Sequence, residues 1–223
     1  MNGSLRFRCC YSPEKIDVKM EAAADYTVSD ECDVVVTEMM YDPLKPSDGE
    51  KGDGSDPELG EASNYEYLEF YNRSESPVDL ANFYLKGTLE FTLPNSPALV
   101  PPKSYALLVA SKRAFFRRYP ESKANVLAEY DGSLKADIVK LTLPNYAFSI
   151  NADWFSECQG KGYSVELKDN RTPYGKMSER SSWQASEDKY GSPGYDPGEI
   201  PEPTAFLALL LLLGALFKKP AAF

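Results

Sequence analysis

The chain has 223 residues, 43% of them hydrophobic, and a formal net charge of −10. That length suits one domain with a sizeable core, and the composition excludes wholesale disorder. Histidine is absent, which excludes Ser-His-Asp and Cys-His nucleophile sites, His-liganded zinc and a histidine general base; the acidic balance argues against a nucleic-acid binder that works through a basic surface.

In chain order, Met1 to Cys10 carries basic side chains but lacks the apolar core of roughly 7–15 residues that marks a signal peptide. Residues 1–32 read as a separate N-terminal segment, the end of an upstream region or the product of a misplaced start. The body spans 33–194. Within it, short runs rich in Val, Ile, Leu, Tyr and Phe lie between turn residues, and these predict strands. They are Val34 to Met39, Tyr65 to Asn72, Leu80 to Leu85, Leu89 to Thr92, Ser104 to Ala110, Ile138 to Leu143 and Tyr163 to Lys168. Tyr105 to Val109 is apolar on both parities, which predicts a central strand covered on both sides. Tyr163, Val165 and Leu167 alternate with Ser164, Glu166 and Lys168, which predicts one buried and one wet face. Ser111 is the expected N-cap of a helix that runs to Arg118 and stops before Pro120. Its Lys112, Arg113, Arg117 and Arg118 read as a solvated basic face. Alternating short strands with this turn spacing predict an all-β, immunoglobulin-like sandwich.

Asp42 to Glu61 reads as a long polar loop. It holds seven acids against Lys45 and Lys51, a net charge of −5. Calcium takes oxygen ligands that carboxylates one or two residues apart can supply, so Asp48, Glu50, Asp53 and Asp56 are the calcium candidates. The EF-hand spacing is not met, so a solvated, mobile loop without a cofactor is the expectation and calcium the alternative. Glu38 and Glu69 fall in two early strands. Paired carboxylates can hydrolyse glycosides, but nothing in the sequence sets these two in a cleft, and structural hydrogen bonding is expected. Trp154 and Trp183 are expected in the core or at its rim, with sugar stacking as the alternative. Of Cys9, Cys10, Cys32 and Cys158, none has metal-like spacing. Cys32 and Cys158 are the disulfide candidate; that bond would close a long loop, worth up to about 4–5 kcal/mol in the chain-entropy model.

The end of the chain is a different kind of segment. Residues 195–204 form a Pro/Gly linker. Ala205 to Phe217 reads AFLALLLLLGALF without a charge. As a helix it spans about 20 Å, short of the roughly 30 Å of a bilayer core, so a short transmembrane helix over 205–217 is expected. Lys218 and Lys219 follow and would stop it; by the positive-inside rule residues 218–223 stay cytoplasmic and the body lies outside. Pro201-Glu202-Pro203, the apolar run and the lysines, in that order, resemble the bacterial PEP-CTERM sorting signal. The basic end is two lysines where family members often carry an arginine cluster. The resemblance implies recognition by an exosortase-type transpeptidase and cleavage near the motif.

The body resembles a lamin tail domain. The landmarks are VVVTEMMYDP at Val34 to Pro43, EYLEFYNRSESPVDLANFYL at Glu66 to Leu85, and a strand at Ser104 to Ala110 after the Pro-rich corner Val100-Pro101-Pro102-Lys103. GKGYSVELKD at Gly160 to Asp169 follows, and then Trp183-Gln184-Ala185-Ser186 with Gly191-Ser192-Pro193-Gly194. Leu143 to Cys158 is compressed relative to the family, and the acidic loop at 47–62 looks like an insertion. The resemblance implies the same sandwich and a binding or tethering role without catalysis. The expectation is therefore a non-enzymatic module, exported, membrane-anchored and then sorted to the cell surface or matrix, with a protein or polysaccharide ligand. The alternatives are an accessory domain of a larger exported nuclease or hydrolase, or a structural matrix protein without a discrete ligand.

Overall fold

The computed structural model describes residues 34–122, 124–144 and 146–195. Segments 1–33 and 196–223, with the expected membrane helix, sorting motif and lysine stop, lie outside the described residues.

Six strands form the larger sheet. They are β1 (Val34–Met40), β2 (Tyr67–Asn72), β7 (Tyr105–Val109), β8 (Asn125–Glu129), β11 (Val165–Leu167) and β12 (Trp183–Ala185). Their order is β12-β11-β1-β2-β7-β8, antiparallel except for the parallel β7–β8 edge. A four-stranded sheet orders β10 (Ala147–Asn151), β9 (Ile138–Thr142), β4 (Tyr84–Gly87) and β5 (Phe91–Thr92). Two-residue strands β3 (Val78–Asp79) and β6 (Leu99–Val100) pair separately.

The two main sheets face each other across one core. Val36, Leu68, Phe70 and Leu167 of the larger sheet share it with Leu85, Val139, Leu141, Phe148 and Ile150 of the smaller. In β9 and β10 every second side chain is buried, the pattern of strands wetted on one face. Trp183 is fully buried, stacks on Phe148 at 5.7 Å and donates its indole N–H to Met177 O at 2.7 Å. Trp154 packs partly buried against the same core. Both tryptophans are therefore core or rim residues.

The outer face of the larger sheet is also covered. Helix α2 (Lys112–Arg118) lies on it, its Ser111 N-cap accepting from Ala114 N–H at 3.2 Å. Phe115 of α2 packs with Met40, Tyr67, Leu107 and Val109 in a second apolar cluster. This second cover corrects two expectations. Ser164 and Glu166 are buried rather than wet, because the outer face of β11 also has cover. Arg118 is buried rather than solvated, its side chain only 2% exposed and 2.6 Å from Glu50.

The acidic stretch is ordered by its own side chains. A capping box between Ser47 and Glu50 starts a four-residue helix, α1 (Asp48–Lys51). Asp56 caps a short 3-10 turn at Pro57–Leu59 and pairs with Arg113 at 2.7 Å. The insertion is thus pinned to α2 rather than loose. The expected strand at Leu80 to Leu85 begins only at Tyr84. Asp79 Oδ1 accepts from Ala81 N–H and Ala98 N–H, both at 3.0 Å, and Asn82 takes φ of +61°, so a turn precedes the strand.

Candidate functional site

Three glutamates from adjacent strands lie in one row on the outer face of the larger sheet. Glu38 of β1 is the direct neighbour of Glu69 on β2 and of Glu166 on β11. A β-bulge makes this possible. The β1–β2 register shifts between Val36 and Glu38, so two residues of β1, Thr37 and Glu38, stand against Glu69. In an unbroken alternation from Val34 and Val36, Glu38 would point into the core; the extra residue turns it outward. All three glutamates are at most 3% exposed.

Residues 191–195 close over the row. Ser192 N–H donates to Glu38 Oε1 at 2.9 Å, Ser192 Oγ to Glu166 Oε1 at 3.1 Å, and Gly194 N–H to Glu69 Oε2 at 2.6 Å. Tyr67 Oη and Ser164 Oγ also donate to Glu38 Oε1, and Thr37 Oγ1 to Glu69 Oε1. Glu38 Oε2 is buried and accepts nothing among the described residues. The strap itself is tied down elsewhere: Tyr119 Oη donates to Tyr190 O at 2.8 Å, Ser122 Oγ to Pro193 O at 2.8 Å, and Tyr195 Oη to Glu121 O at 2.6 Å.

Burial and mutual repulsion govern protonation here. Loss of water raises the Glu38 carboxyl to about 7, with the Glu166 charge as the second cause, against hydrogen bonds that pull it down. Glu69 is pushed well above the ordinary carboxylate range by burial and then by Glu38. Burial also raises Glu166, with Glu187 and Asp188 adding to the effect. Each carboxyl of the row therefore keeps its proton to higher pH than an exposed one does. Beside the row opens a pocket of about 390 Å³, whose wall includes all three glutamates, Thr37, Tyr105 and Ser192. Glu38 and Glu69 therefore line a cleft that the sequence alone did not place them in, and they make the structural hydrogen bonds that were expected.

The other candidates are dispersed. Glu50 is bound to Arg118, Asp53 to Ser55, Asp56 to Arg113, and Asp48 lies 3.7 Å from Lys51. Among the described residues no group of three His, Cys, Asp or Glu side chains is placed to hold a metal. Cys158 is a buried free thiol that donates to Ser164 O, and burial raises its thiol to about 12. Its expected partner Cys32 lies outside the described residues, as do Pro201, Glu202, Pro203, Lys218 and Lys219. Among the described residues no helix is long and apolar enough to cross a membrane.

A family model described as Lamin Tail Domain matches residues 27–171. The chain belongs to the lamin tail domain family. No curated protein and no solved structure matches it. The lamin tail domain is a non-enzymatic, immunoglobulin-like family, and the packed sheets described above agree with that fold. The match ends at Arg171, ahead of β12 and of the strap that completes this lamin tail domain's glutamate row. Glu166, Ser164, Tyr67 and Ser192 are the site residues that sequence reasoning missed. The Gly-Ser-Pro-Gly run at 191–194, small residues able to lie flat against a sheet, is a signal for Ser192 alone; the other three carry none in the sequence.

Proposed function

We propose that this lamin tail domain is a non-catalytic binding or tethering module of an exported protein, destined for the cell surface or extracellular matrix. The observation that carries the reading is the fastening of residues 191–195 to the larger sheet through Glu38, Glu69 and Glu166. Glu38, Glu69 and Glu166 each accept hydrogen bonds from the chain's own donors, and residues 191–195 are fixed to the body ahead of the tail. A module anchored by its C-terminus needs such a fixed exit.

The tail supports the same reading. Pro201-Glu202-Pro203, the apolar residues 205–217 and Lys218-Lys219 follow the order of a bacterial PEP-CTERM signal. In this reading residues 205–217 hold the body outside the cytoplasm until an exosortase-type transpeptidase cuts near the motif. The ligand is a protein or polysaccharide; a net charge of −10 repels nucleic-acid phosphates. The test is mass spectrometry of the mature C-terminus from purified envelope, combined with external protease on intact cells. Cleavage of the surface-exposed body and loss of Lys218-Lys219 are expected. An intact Lys218-Lys219 end overturns sorting, and a body shielded from external protease overturns export.

A further inference from the structure

Glu38 stands directly opposite Glu69 on one neighbouring strand and Glu166 on the other, all three buried. Like acids so placed repel when ionised. They make no ion pair among the described residues. The cations nearby are engaged elsewhere: Arg118 of α2 with Glu50 and Leu44 O, and Lys168 and Arg171 beyond β11 with Ser181 O and Asp169. The other neighbours add no positive charge. β2 supplies Tyr67, the C-cap of α2 Tyr119, β12 Gln184 and β7 Tyr105, while Glu187 and Asp188, ahead of the strap, are two more acids. The cover is itself under strain. Tyr190, at the root of residues 191–195, takes φ of +78°, a left-handed backbone that a residue with a Cβ adopts only when its surroundings impose it. Lifting the strap would let water reach the acids and relax Tyr190 in one movement.

We propose that residues 191–195 are a proton-operated latch, closed over the row while its carboxyls hold protons and lifted from β1, β2 and β11 once they ionise. Three of its hydrogen bonds end on the row, from Ser192 N–H, Ser192 Oγ and Gly194 N–H. Those of Tyr190 O, Pro193 O and Tyr195 Oη involve no carboxyl and set the closed position. Burial is the first cause that raises Glu38, Glu69 and Glu166 under the strap. Opening returns them toward the ordinary carboxylate range and so releases protons. A step that releases protons is favoured as pH rises and reversed as it falls. Between 4.5 and about 7, Glu38 alone can move the opening equilibrium by up to about tenfold per pH unit. The two sheets stay packed meanwhile, because their shared apolar core lies on the other face of β1 and β2. The latch does not depend on export or sorting.

Amide hydrogen exchange on the full chain tests it, each rate divided by the intrinsic rate at the same pH. From about pH 5 to about pH 8, protection at Ser192 and Gly194 should fall at least about tenfold, and protection in β9 and β10 should fall much less. Glutamine keeps an acceptor oxygen for the strap but cannot ionise. In the triple variant Glu38→Gln, Glu69→Gln, Glu166→Gln, protection at Ser192 and Gly194 should therefore be the same at both pH values. Should that variant fail to fold, Glu166→Gln alone should shrink the fall by removing one of the three charges. Undiminished protection of the strap at about pH 8, a fall matched by β9 and β10, or a full-sized fall in the folded glutamine variant overturns the proposal.

Discussion

Ser192 and Glu38 are 154 residues apart in the chain and are joined by a 2.9 Å hydrogen bond from a backbone N–H to a buried carboxylate. The contact ties the last described segment to the first strand. Gly191 makes the approach possible. It sits at φ of +73°, and a Cβ there would collide with Glu38 Oε1, Tyr67 Oη and Ser164 Oγ. Gly191→Ala should therefore lift the strap, costing about 2 kcal/mol or more from overpacking and left-handed backbone strain. Urea unfolding gives the magnitude. Hydrogen exchange at Ser192 and Gly194 should rise with it; unchanged protection there would contradict the strap.

Stability should fall as pH rises through neutrality. Burial, then Glu166, raises Glu38 to about 7, and burial raises Glu66 to about 7. A carboxyl with a higher folded than unfolded value holds its proton more tightly in the fold. Its contribution is complete below the ordinary value of 4.5 and is lost as pH climbs past about 7. The loss is on the order of 3 kcal/mol for one such group. Glu69 and Glu166 shift in the same direction. Thermal melts at about pH 5 and about pH 8 check it, with Glu38→Gln expected to flatten the difference. A wild-type melting temperature that rises between the two would refute the assignment.

Arg118 holds the acidic insertion to the body. Its guanidinium lies 3.9 Å over the Tyr65 ring, bonds Glu50 Oε1 at 2.6 Å and reaches Leu44 O at 3.2 Å. Removing Arg118 leaves Glu50 partly solvated, its side chain 14% exposed, so the loss is on the order of 1–3 kcal/mol. Arg118→Ala should cost that much and expose residues 47–62 to protease, with cutting at Lys51 as the readout. Arg118→Lys should rescue little, because an ammonium neither forks nor stacks in the same way.

Asn72 organises the turn after β2. Its Nδ2 donates to the carbonyls of Ser76, Val100 and Pro101, and its Oδ1 accepts from Ser74 N–H and Oγ. Asn72→Asp keeps the shape but turns a donor toward carbonyls into an acceptor. A loss of about 2–4 kcal/mol is expected in denaturant titration, from unsatisfied buried carbonyls and an unpaired charge. A near-neutral result would mean that the three carbonyls find other donors.

Cys158 offers a check on the interior. Its thiol is buried and raised to about 12 by loss of water, with Glu157 and Glu166 adding. Iodoacetamide should label it only at the rate of unfolding. Rapid labelling of the folded chain would contradict this placement.

Strands β1, β2, β7 and β9 were legible because apolar side chains recur along them at the spacing the sheets use. β3 and β6 were not, since two residues carry no period. β8 was missed because a parallel edge strand with half-buried side chains shows no clean alternation. Tyr163 to Lys168 was read correctly as strand and wrongly as wet on one face. Alternation reports that β11 has two faces; it does not report that residues 191–195, far along the chain, lie over the second. The glutamate row fails the same way. A bulge at Thr37 changes which side of β1 Glu38 joins, and the register shift exists only once β1 meets β2.

Residues 191–195 are fastened across the larger sheet. A mechanical pull on residue 195 meets the bond of Tyr195 Oη to Glu121 O first, and then, before it meets β12, the contacts of Gly194 and Ser192 with Glu69 and Glu38. Those bonds anchor on β1 and β2, the middle of the larger sheet, so tension is delivered to interior strands and not to an edge that could peel.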